Sequence, residues 1–327
     1  MNASKKSLLI ISGYIDDQRP MGGVTMHVHR LLKRLIEPQV SNYILCDYKK
    51  ESFRKQLNKI RTAGVLHTHA SNPLLKLFYV IAGKFFRTKS LITVHGKYGV
   101  YGPIQNIIHK WALKWCDIPI LINKESYDAV VKFNSHAVFI PAFIPPIKEE
   151  EVLSSEMHAK IKQIKEDGKP LLVTNASSRA FTTDGKEIYG IEFLIDYCRE
   201  HKEFNLVILD PHNDYMPLYK ERLPENVYIF TGHHSFCGLM EYADIVVRNT
   251  PTDGDSLSVK EALYYHKKIL ATDAVSRPEG VFLFKYNSVE SLDASIGKAI
   301  THRGIIDLKE ENAEEQYLKL YQKVGVI

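Results

Sequence analysis

The chain alternates short apolar runs with longer amphipathic segments from one end to the other. The apolar runs are SLLIISG, NYILCD, GVLHTH, SLITVHG, IPILIN and HAVFIPA in the first half, and PLLVTNA, FNLVILD, NVYIFTG, ADIVVRN and KKILATD in the second. Segments such as VTMHVHRLLKRLIE and NPLLKLFYVIAGKFFR lie between them and have helical spacing. Continuous apolar strands that alternate with helices are typical of parallel sheets with both faces covered. The pattern therefore predicts an α/β protein with doubly wound sheets.

One proline-rich segment, PAFIPPIKEEE over residues 141–151, interrupts this alternation near the middle. We interpret it as a linker, because 327 residues exceed the size at which a single core stops growing. The prediction is a Rossmann-like domain over 1–146, a second over 147–307, and a last helix within 308–327 that crosses back to the first domain. Ligands are expected at the carboxyl ends of the strands, in a cleft across which the two domains face each other.

The composition is that of a globular protein, with 45% hydrophobic and 25% charged residues. No segment reaches the ~18 consecutive apolar residues of a membrane span, and the first apolar run is too short for a signal peptide. The four cysteines, Cys46, Cys116, Cys198 and Cys237, form no C-x-x-C pair. Their spacing argues against a zinc site or a disulfide framework, so we expect a cytoplasmic protein.

The two halves of the chain differ in charge. Residues 1–147 hold 21 Lys and Arg against 8 Asp and Glu, whereas the remaining residues hold 22 against 30. A first half this basic suits an anionic partner such as a membrane surface, a phosphorylated lipid or a nucleic acid, although lysines that only keep the surface soluble are the plainer interpretation. A nucleic acid is disfavoured, because the basic half lacks interleaved aromatic stacking motifs and the second half is acidic.

Two groups of residues follow strands in the first half. Gly22 and Gly23 open a helix after the first strand, where glycine lets a backbone approach a ligand and a helix N-terminus favours a phosphate; an ordinary turn fits as well. His67, His69 and His95 stand at strand ends. Histidines can bind metal, but zinc usually takes three or more protein ligands in sets with a carboxylate or thiolate, and none is adjacent. We favour hydrogen bonds to a sugar hydroxyl or phosphate over metal, with core packing as the alternative.

Two further groups follow strands in the second half. Arg179 and Lys186 lie in the loop before a helix and could clamp a diphosphate, whereas either alone would be an ordinary surface charge. The stretch TDGDSLSVKEAL over residues 252–263 contains a turn glycine followed by a helix start, which provides backbone amides for an anion. Ser258 and Glu261 fit a capping box, while the carboxylates of Asp253 and Glu261 can accept hydrogen bonds from sugar hydroxyls. The stretch therefore suits a nucleoside diphosphate sugar.

The segment TPTDGDSLSVKEALYYHKKILATDAVSRPEGV resembles the donor-site signature of glycosyltransferase family 4, which contains retaining enzymes of the GT-B fold with two glutamates separated by seven residues. Asp253 stands at the first glutamate position and Glu261 at the second. The Gly-Gly loop, the strand ending in TVHG, the FIPAFIPP segment and the Arg179/Lys186 pair match too, so the resemblance covers nearly the whole chain. One departure is Tyr189, which stands where the family usually has a lysine directly before the helix-opening glycine.

The resemblance implies a role for each matching residue. Asp253 would contact the transferred sugar, Glu261 would hold the ribose hydroxyls, and His95 would contact the sugar or the β-phosphate. Arg179 and Lys186 would stabilise the departing diphosphate. The backbone that binds the donor would come from Gly22, Gly23, Gly254, Asp255, Ser256, Leu257 and Ser258. No metal and no separate cofactor is implied, since the nucleoside diphosphate sugar is itself a substrate.

The resemblance also implies a function. The protein would move a sugar, with retention of anomeric configuration, from a nucleoside diphosphate sugar, UDP-sugars being favoured, to an acceptor hydroxyl. We expect a lipid-linked saccharide of bacterial surface glycan assembly as acceptor, and Lys76, Lys84, Arg87 and Lys89 around an apolar helix could contact the anionic inner leaflet. A place in the buried core is the more common fate of such a helix. The alternative is a partner subunit that binds a nucleotide sugar without turnover.

Overall fold

The structure, a computed structural model, describes residues 6–15, 22–253, 256–309 and 313–327. The chain forms two compact units. The first comprises Met1–Ile144 together with Glu310–Ile327, and the second comprises Pro145–Lys309. The boundary at Pro145 lies within the proline-rich segment that we interpreted as a linker.

The first unit is built on a six-stranded parallel sheet with the strand order β2-β1-β3-β4-β5-β6. Its strands are β1 (Leu8–Ser12), β2 (Tyr43–Asp47), β3 (Val65–Thr68), β4 (Lys89–Val94), β5 (Ile118–Leu121) and β6 (Val138–Phe139). The helices are α1 (Gly23–Leu31), a π-helical turn (Leu32–Ile36), α2 (Glu37–Gln39), α3 (Phe53–Thr62), α4 (Pro73–Phe86), α5 (Pro103–Trp115), α6 (Lys124–Val130) and, from the end of the chain, α13 (Ala313–Val324).

Helices cover both faces of this sheet, which explains why most residues of its strands are apolar on both faces. Leu8 of β1 packs on one face with residues of α1 and α13, including Leu31 and Tyr321. Leu9, the next residue along β1, packs on the opposite face with Tyr79 of α4. Successive side chains of a strand point to opposite faces. A strand that helices cover on both sides therefore buries the side chains of both faces, which favours apolar residues.

The second unit repeats this architecture with the strand order β12-β11-β10-β7-β8-β9. Its strands are β7 (Leu171–Asn175), β8 (Asn205–Asp210), β9 (Val227–Thr231), β10 (Ile245–Arg248), β11 (Lys268–Thr272) and β12 (Phe282–Phe284). Its helices are a 3₁₀ turn (Lys148–Glu151), α7 (Ser155–Lys165), α8 (Ile191–Glu200), α9 (Met216–Tyr219), α10 (Phe236–Leu239), α11 (Leu257–Tyr264) and α12 (Val289–Thr301).

The predicted fold class is confirmed, because both sheets are parallel and carry helices on both faces. Each of the eleven apolar runs contains a strand, and β12 is an additional strand that the pattern did not predict. Within the described ranges, no helix has both the length and the apolar character needed to cross a bilayer.

Candidate functional site

The segment between β10 and α11 carries the predicted donor-binding backbone. Helix α11 begins at Leu257 with Ser256 as its N-cap, and the hydroxyls of Ser256 and Ser258 lie 3.1 Å apart. The predicted capping box is wrong, because Ser258 lies inside the first turn and not at the cap. The predicted Gly254 and Asp255 lie outside the described residues. The described part of this segment therefore places the amides of a helix start in the connection that follows β10.

The carboxylate of Asp253 lies between two arginines. Arg277 Nη1 donates to Asp253 Oδ2 at 2.9 Å, and Arg248 Nε and Nη2 lie 3.3 Å from its two oxygens. The Asp253 side chain is 8% exposed and that of Arg277 only 3%. Neither arginine was among the predicted site residues.

Glu261, the other predicted acid, is buried on α11. One of its carboxylate oxygens lies within 4.8 Å of the Cys237 thiol and of a Glu150 carboxylate oxygen. Cys237 belongs to α10, which Ser235 caps through its hydroxyl, and the same hydroxyl donates to the backbone oxygen of Glu150. Glu261 therefore lies beside α10, which follows the segment after β9.

The two predicted clamp cations lie in and beside a short hairpin. Phe181 and Glu187 pair in antiparallel fashion, and Lys186 lies near the tip of that hairpin. Each cation contacts a neighbouring acid: Arg179 binds Glu192 at 2.7 Å, and Lys186 binds Asp184 at 2.8 Å. Both pairs are substantially exposed, so solvent screens them and each contributes little to stability.

The helix that follows the hairpin begins against the end of β10. Gly190, the N-cap of α8, has φ +55°, and a Cβ there would lie 2.2 Å from Asn249 Nδ2. Asn249 is buried, and its amide donates to the Gly190 carbonyl at 3.2 Å and to Asn287 Oδ1 at 2.8 Å. Glycine is therefore required at this position by both its backbone conformation and the close packing.

Four histidines cluster in the first unit, near the carboxyl ends of β3 and β4. His67 is satisfied by hydroxyls, with Nδ1 2.8 Å from Tyr321 Oη and Nε2 2.7 Å from Thr93 Oγ1. The core-packing interpretation therefore holds for His67. His69 Nδ1 lies 2.9 Å from His95 Nε2, while His69 Nε2 is buried and has no hydrogen-bond partner within the described part of the chain.

The fourth imidazole, that of His27, reaches this cluster from α1. Its Nδ1 donates to the Ala142 carbonyl at 2.8 Å, which leaves Nε2 as the acceptor for the Tyr317 hydroxyl at 3.2 Å. Burial lowers the pKa of His27 to about 4 and holds the pKa values of His69 and His95 well below their ordinary value. These rings are therefore neutral at physiological pH, which is the form that binds both hydroxyls and metals.

Among the residues that the structure describes, two groups could hold a cation. Ligand atoms of His27, His69 and His95 lie within 4.8 Å of one another, so the third imidazole that the sequence did not reveal is supplied by α1. The second group is that of Glu150, Cys237 and Glu261. Equally, the neutral imidazoles could donate to or accept from saccharide hydroxyls.

The Gly-Gly loop opens α1 as expected. Gly22 has φ +85° and is the N-cap, and α1 begins at Gly23. A Cβ on either residue would meet no described atom within 4 Å. The glycine at 22 is explained by its left-handed backbone, and the space around both residues would allow a ligand to approach the helix N-terminus.

The solved structures that resemble this chain share its fold at low sequence identity. HepE from Anabaena in complex with UDP-glucose aligns with a TM-score of 0.69 and 12% identity over 98% of both chains. Sucrose-phosphate synthase from Thermosynechococcus elongatus aligns with a TM-score of 0.63 and 14% identity over 98% of this chain and 97% of that one. UDP-GlcNAc 2-epimerase from Methanocaldococcus jannaschii aligns with a TM-score of 0.62 and 10% identity over 97% and 99%. No family model and no curated protein matches the chain.

Proposed function

We propose that this protein is a retaining glycosyltransferase that moves a sugar from a nucleoside diphosphate sugar, preferentially a UDP-sugar, to an acceptor hydroxyl. The proposal is carried by the arrangement of residues at the carboxyl ends of the strands of the second sheet. There the helix start at Ser256 and Leu257 adjoins the arginine-bound Asp253, and Glu261 is buried on the same helix. Helix amides suit a diphosphate, and a carboxylate suits ribose hydroxyls. The likeness in fold to HepE, a protein solved with UDP-glucose, supports the choice of UDP.

The donor would lie on the second unit. Its diphosphate would occupy the N-terminus of α11, and its ribose hydroxyls would donate to Glu261. The exposed pairs that Arg179 and Lys186 make with Glu192 and Asp184 are weak. A diphosphate could therefore displace either carboxylate at little cost, and charge-assisted hydrogen bonds to phosphate would replace the pair.

The chemical step would need no protein nucleophile. The acceptor oxygen forms a bond to the anomeric carbon on the face from which the diphosphate departs, and the bond between that carbon and the β-phosphate oxygen breaks. The acceptor proton passes to the departing β-phosphate, so the products are a glycoside of unchanged anomeric configuration and the nucleoside diphosphate. The α11 amides and the nearby cations would stabilise the charge that develops on the diphosphate.

His95 would contact the donor sugar or its β-phosphate as a neutral imidazole. Its Nε2 contacts His69, and burial and the neighbouring charges keep its pKa low. A ring that stays neutral can orient a sugar hydroxyl without a change of charge during the reaction. This assignment makes no use of the capacity of His27, His69 and His95 to hold a metal.

The first unit would bind the acceptor and an anionic membrane. Helix α5 exposes apolar residues at helical spacing, and α4 adds Phe85, which is 80% exposed. These α5 residues are Ile104, Ile107, Trp111 and Trp115. Exposed cations on the same two helices and directly after α4 are Lys84, Arg87, Lys110 and Lys114. Tryptophan with flanking cations suits a lipid headgroup region.

Lys76 does not belong to this surface, contrary to the sequence-based expectation. It is buried, and its Nζ lies 3.2 Å from His109 Nε2. Burial lowers its pKa to about 8. Its position on the inner side of α4 removes it from any contact with lipid.

The test is product analysis with UDP-, GDP- and ADP-sugars in the presence of a polyprenyl diphosphate-linked monosaccharide. We expect release of a nucleoside diphosphate that depends on the acceptor, and an anomeric proton coupling in the product that matches the donor. Tight binding of the donor without release would instead indicate a non-catalytic subunit. Conversion of a UDP-sugar to its epimer without an acceptor would indicate the chemistry of the epimerases that share the fold.

A further inference from the structure

Arg277 is a buried arginine whose hydrogen-bonding capacity is only partly used. It follows β11, where its Nε donates to the Thr272 carbonyl at 3.0 Å and its Nη1 to Asp253 Oδ2 at 2.9 Å. The Nη2 group is buried and has no hydrogen-bond partner among the described residues. A buried N–H group of a cation that lacks an acceptor lowers the stability of the fold. A bound acceptor would remove that cost.

The charge around Arg277 also favours an anion. Arg248 lies on the same Asp253 carboxylate, so two buried or half-buried guanidinium groups share one acid. Arg248 is held from its other side by Tyr189, whose ring centroid lies 4.9 Å from the Arg248 guanidinium carbon. Among the described residues, two guanidinium charges therefore meet one carboxylate charge here, and a guanidinium fork fits phosphate oxygens.

The position of the pair points to the same ligand. Thr272 Oγ1 donates to the Thr250 carbonyl at 2.6 Å, and this bond ties the carboxyl ends of β10 and β11 together. Asp253 lies three residues before Ser256, the N-cap of α11. The cations therefore lie next to a helix N-terminus, which itself favours negative charge.

We propose that Arg277 and Arg248 form an anion site for the diphosphate of the donor, with Arg277 Nη2 as a direct hydrogen-bond donor to a phosphate oxygen. This inference rests on the proposed function and deepens it. Asp253 then anchors the two arginines, in place of the contact with the transferred sugar that the family resemblance implies. The neighbouring Tyr189 takes part by keeping the Arg248 guanidinium in place.

The experiment measures the affinity of the full chain for UDP, UMP, uridine and inorganic pyrophosphate by calorimetry. For Arg277→Gln we expect UDP and pyrophosphate affinity to fall by roughly 10-fold to 100-fold, because a charge-assisted hydrogen bond is lost. Uridine affinity should change by less than about twofold, since the base and ribose lie elsewhere. The matched control is Arg303→Gln, which removes an exposed arginine of the same unit and should leave all affinities unchanged.

Two further variants separate direct contact from a purely structural role. Arg277→Lys keeps the charge and an ion pair with Asp253 but loses the fork, so its UDP affinity should lie between wild type and Arg277→Gln. Asp253→Asn keeps both arginines and a side-chain oxygen that can accept from Arg277, so its UDP and pyrophosphate affinities should fall less than those of Arg277→Gln. If Asp253→Asn loses as much diphosphate affinity as Arg277→Gln, Arg277 acts only through Asp253 and the inference is wrong.

The remaining outcomes distinguish this inference from the proposed function. UDP binding that is equal in wild type and Arg277→Gln would overturn the inference and leave the proposed function in place. Pyrophosphate binding that depends on Arg277, without binding of any nucleoside diphosphate, would overturn the function and support the anion site. If wild type binds neither pyrophosphate nor a nucleoside diphosphate, both are wrong.

Discussion

Replacing His67 with glutamine should make the free energy of unfolding of the first unit less dependent on pH under acidic conditions. Burial lowers the pKa of His67 from 6.5 to about 3, because its ring lies in the core between Tyr321 and Thr93. Below pH 6.5 the unfolded chain therefore binds a proton at this position, whereas the folded chain does not. A histidine of this kind contributes stability that is fully present above its unfolded pKa and is lost as the pH falls toward its folded pKa.

The magnitude follows from this difference in proton binding. Each histidine of this kind changes the free energy of unfolding by ~1.4 kcal/mol per pH unit within the window. The free energy of unfolding of His67→Gln should therefore change less steeply with pH than that of wild type, by about that amount per pH unit. Between pH 6 and pH 4 the difference amounts to ~3 kcal/mol. A residual pH dependence remains from His27, whose pKa burial lowers to about 4, and from His69 and His95, whose pKa values burial holds well below the ordinary value. At pH 7 the variant should be about 1–3 kcal/mol less stable, because two buried hydroxyls lose their partner.

The assay is urea unfolding at a series of pH values, followed by tryptophan fluorescence. The chain has two tryptophans, both on α5, so the signal reports the first unit. His136→Gln is the control, since it removes an exposed histidine of the same unit, and its curve should run parallel to that of wild type. If the His67→Gln curve also runs parallel to wild type, a neutral buried imidazole at position 67 does not govern the acid dependence, and the reasoning fails.

Three further predictions concern the donor site, the fold and the membrane. Glu261→Ala should raise the KM for the donor more than it lowers kcat, because ribose contacts form in both ground and transition states; equal KM values in steady-state kinetics would contradict the assignment. Gly190→Ala should destabilise the second unit by about 2–4 kcal/mol, because its φ is left-handed and the added Cβ would clash with Asn249. The control Gly297→Ala lies within α12 in open space and should stabilise the unit by about 0.5–1 kcal/mol. Similar shifts in melting temperature for the two variants would refute this prediction. Changing both α5 tryptophans to serine should weaken binding to phosphatidylglycerol vesicles by roughly tenfold or more in flotation assays, and unaltered flotation would exclude this surface.

The sequence predicted the sheets well because a strand buried on both faces leaves a local signal. Runs such as FNLVILD are apolar without interruption, and each contains an observed strand. β12 was missed because Phe282–Phe284 is only three residues long, and Leu283 within it is exposed. A run that short cannot be distinguished from a loop by periodicity.

The site was harder to predict because its contacts join residues distant along the chain. Arg277 reaches Asp253 only after the chain has passed through α11 and β11, and nothing near Arg277 in sequence marks it as a partner. His27 lies on the buried face of α1, where its spacing is that of a core residue. Arg179, by contrast, was recognisable as a loop cation, but its ion pair with Glu192 depends on how the hairpin meets α8. The HxH pattern of His67 and His69 was the one local signal of the histidine cluster.

The proposed function requires that the second unit binds a nucleoside diphosphate at the start of α11. A crystal structure of the protein with UDP tests it most directly. We expect the diphosphate to lie against the amides around Ser256 to Ser258 and within hydrogen-bond distance of an arginine, with the ribose hydroxyls on Glu261. UDP bound at any other part of the chain, or crystals that take up no UDP at millimolar concentration, would contradict it.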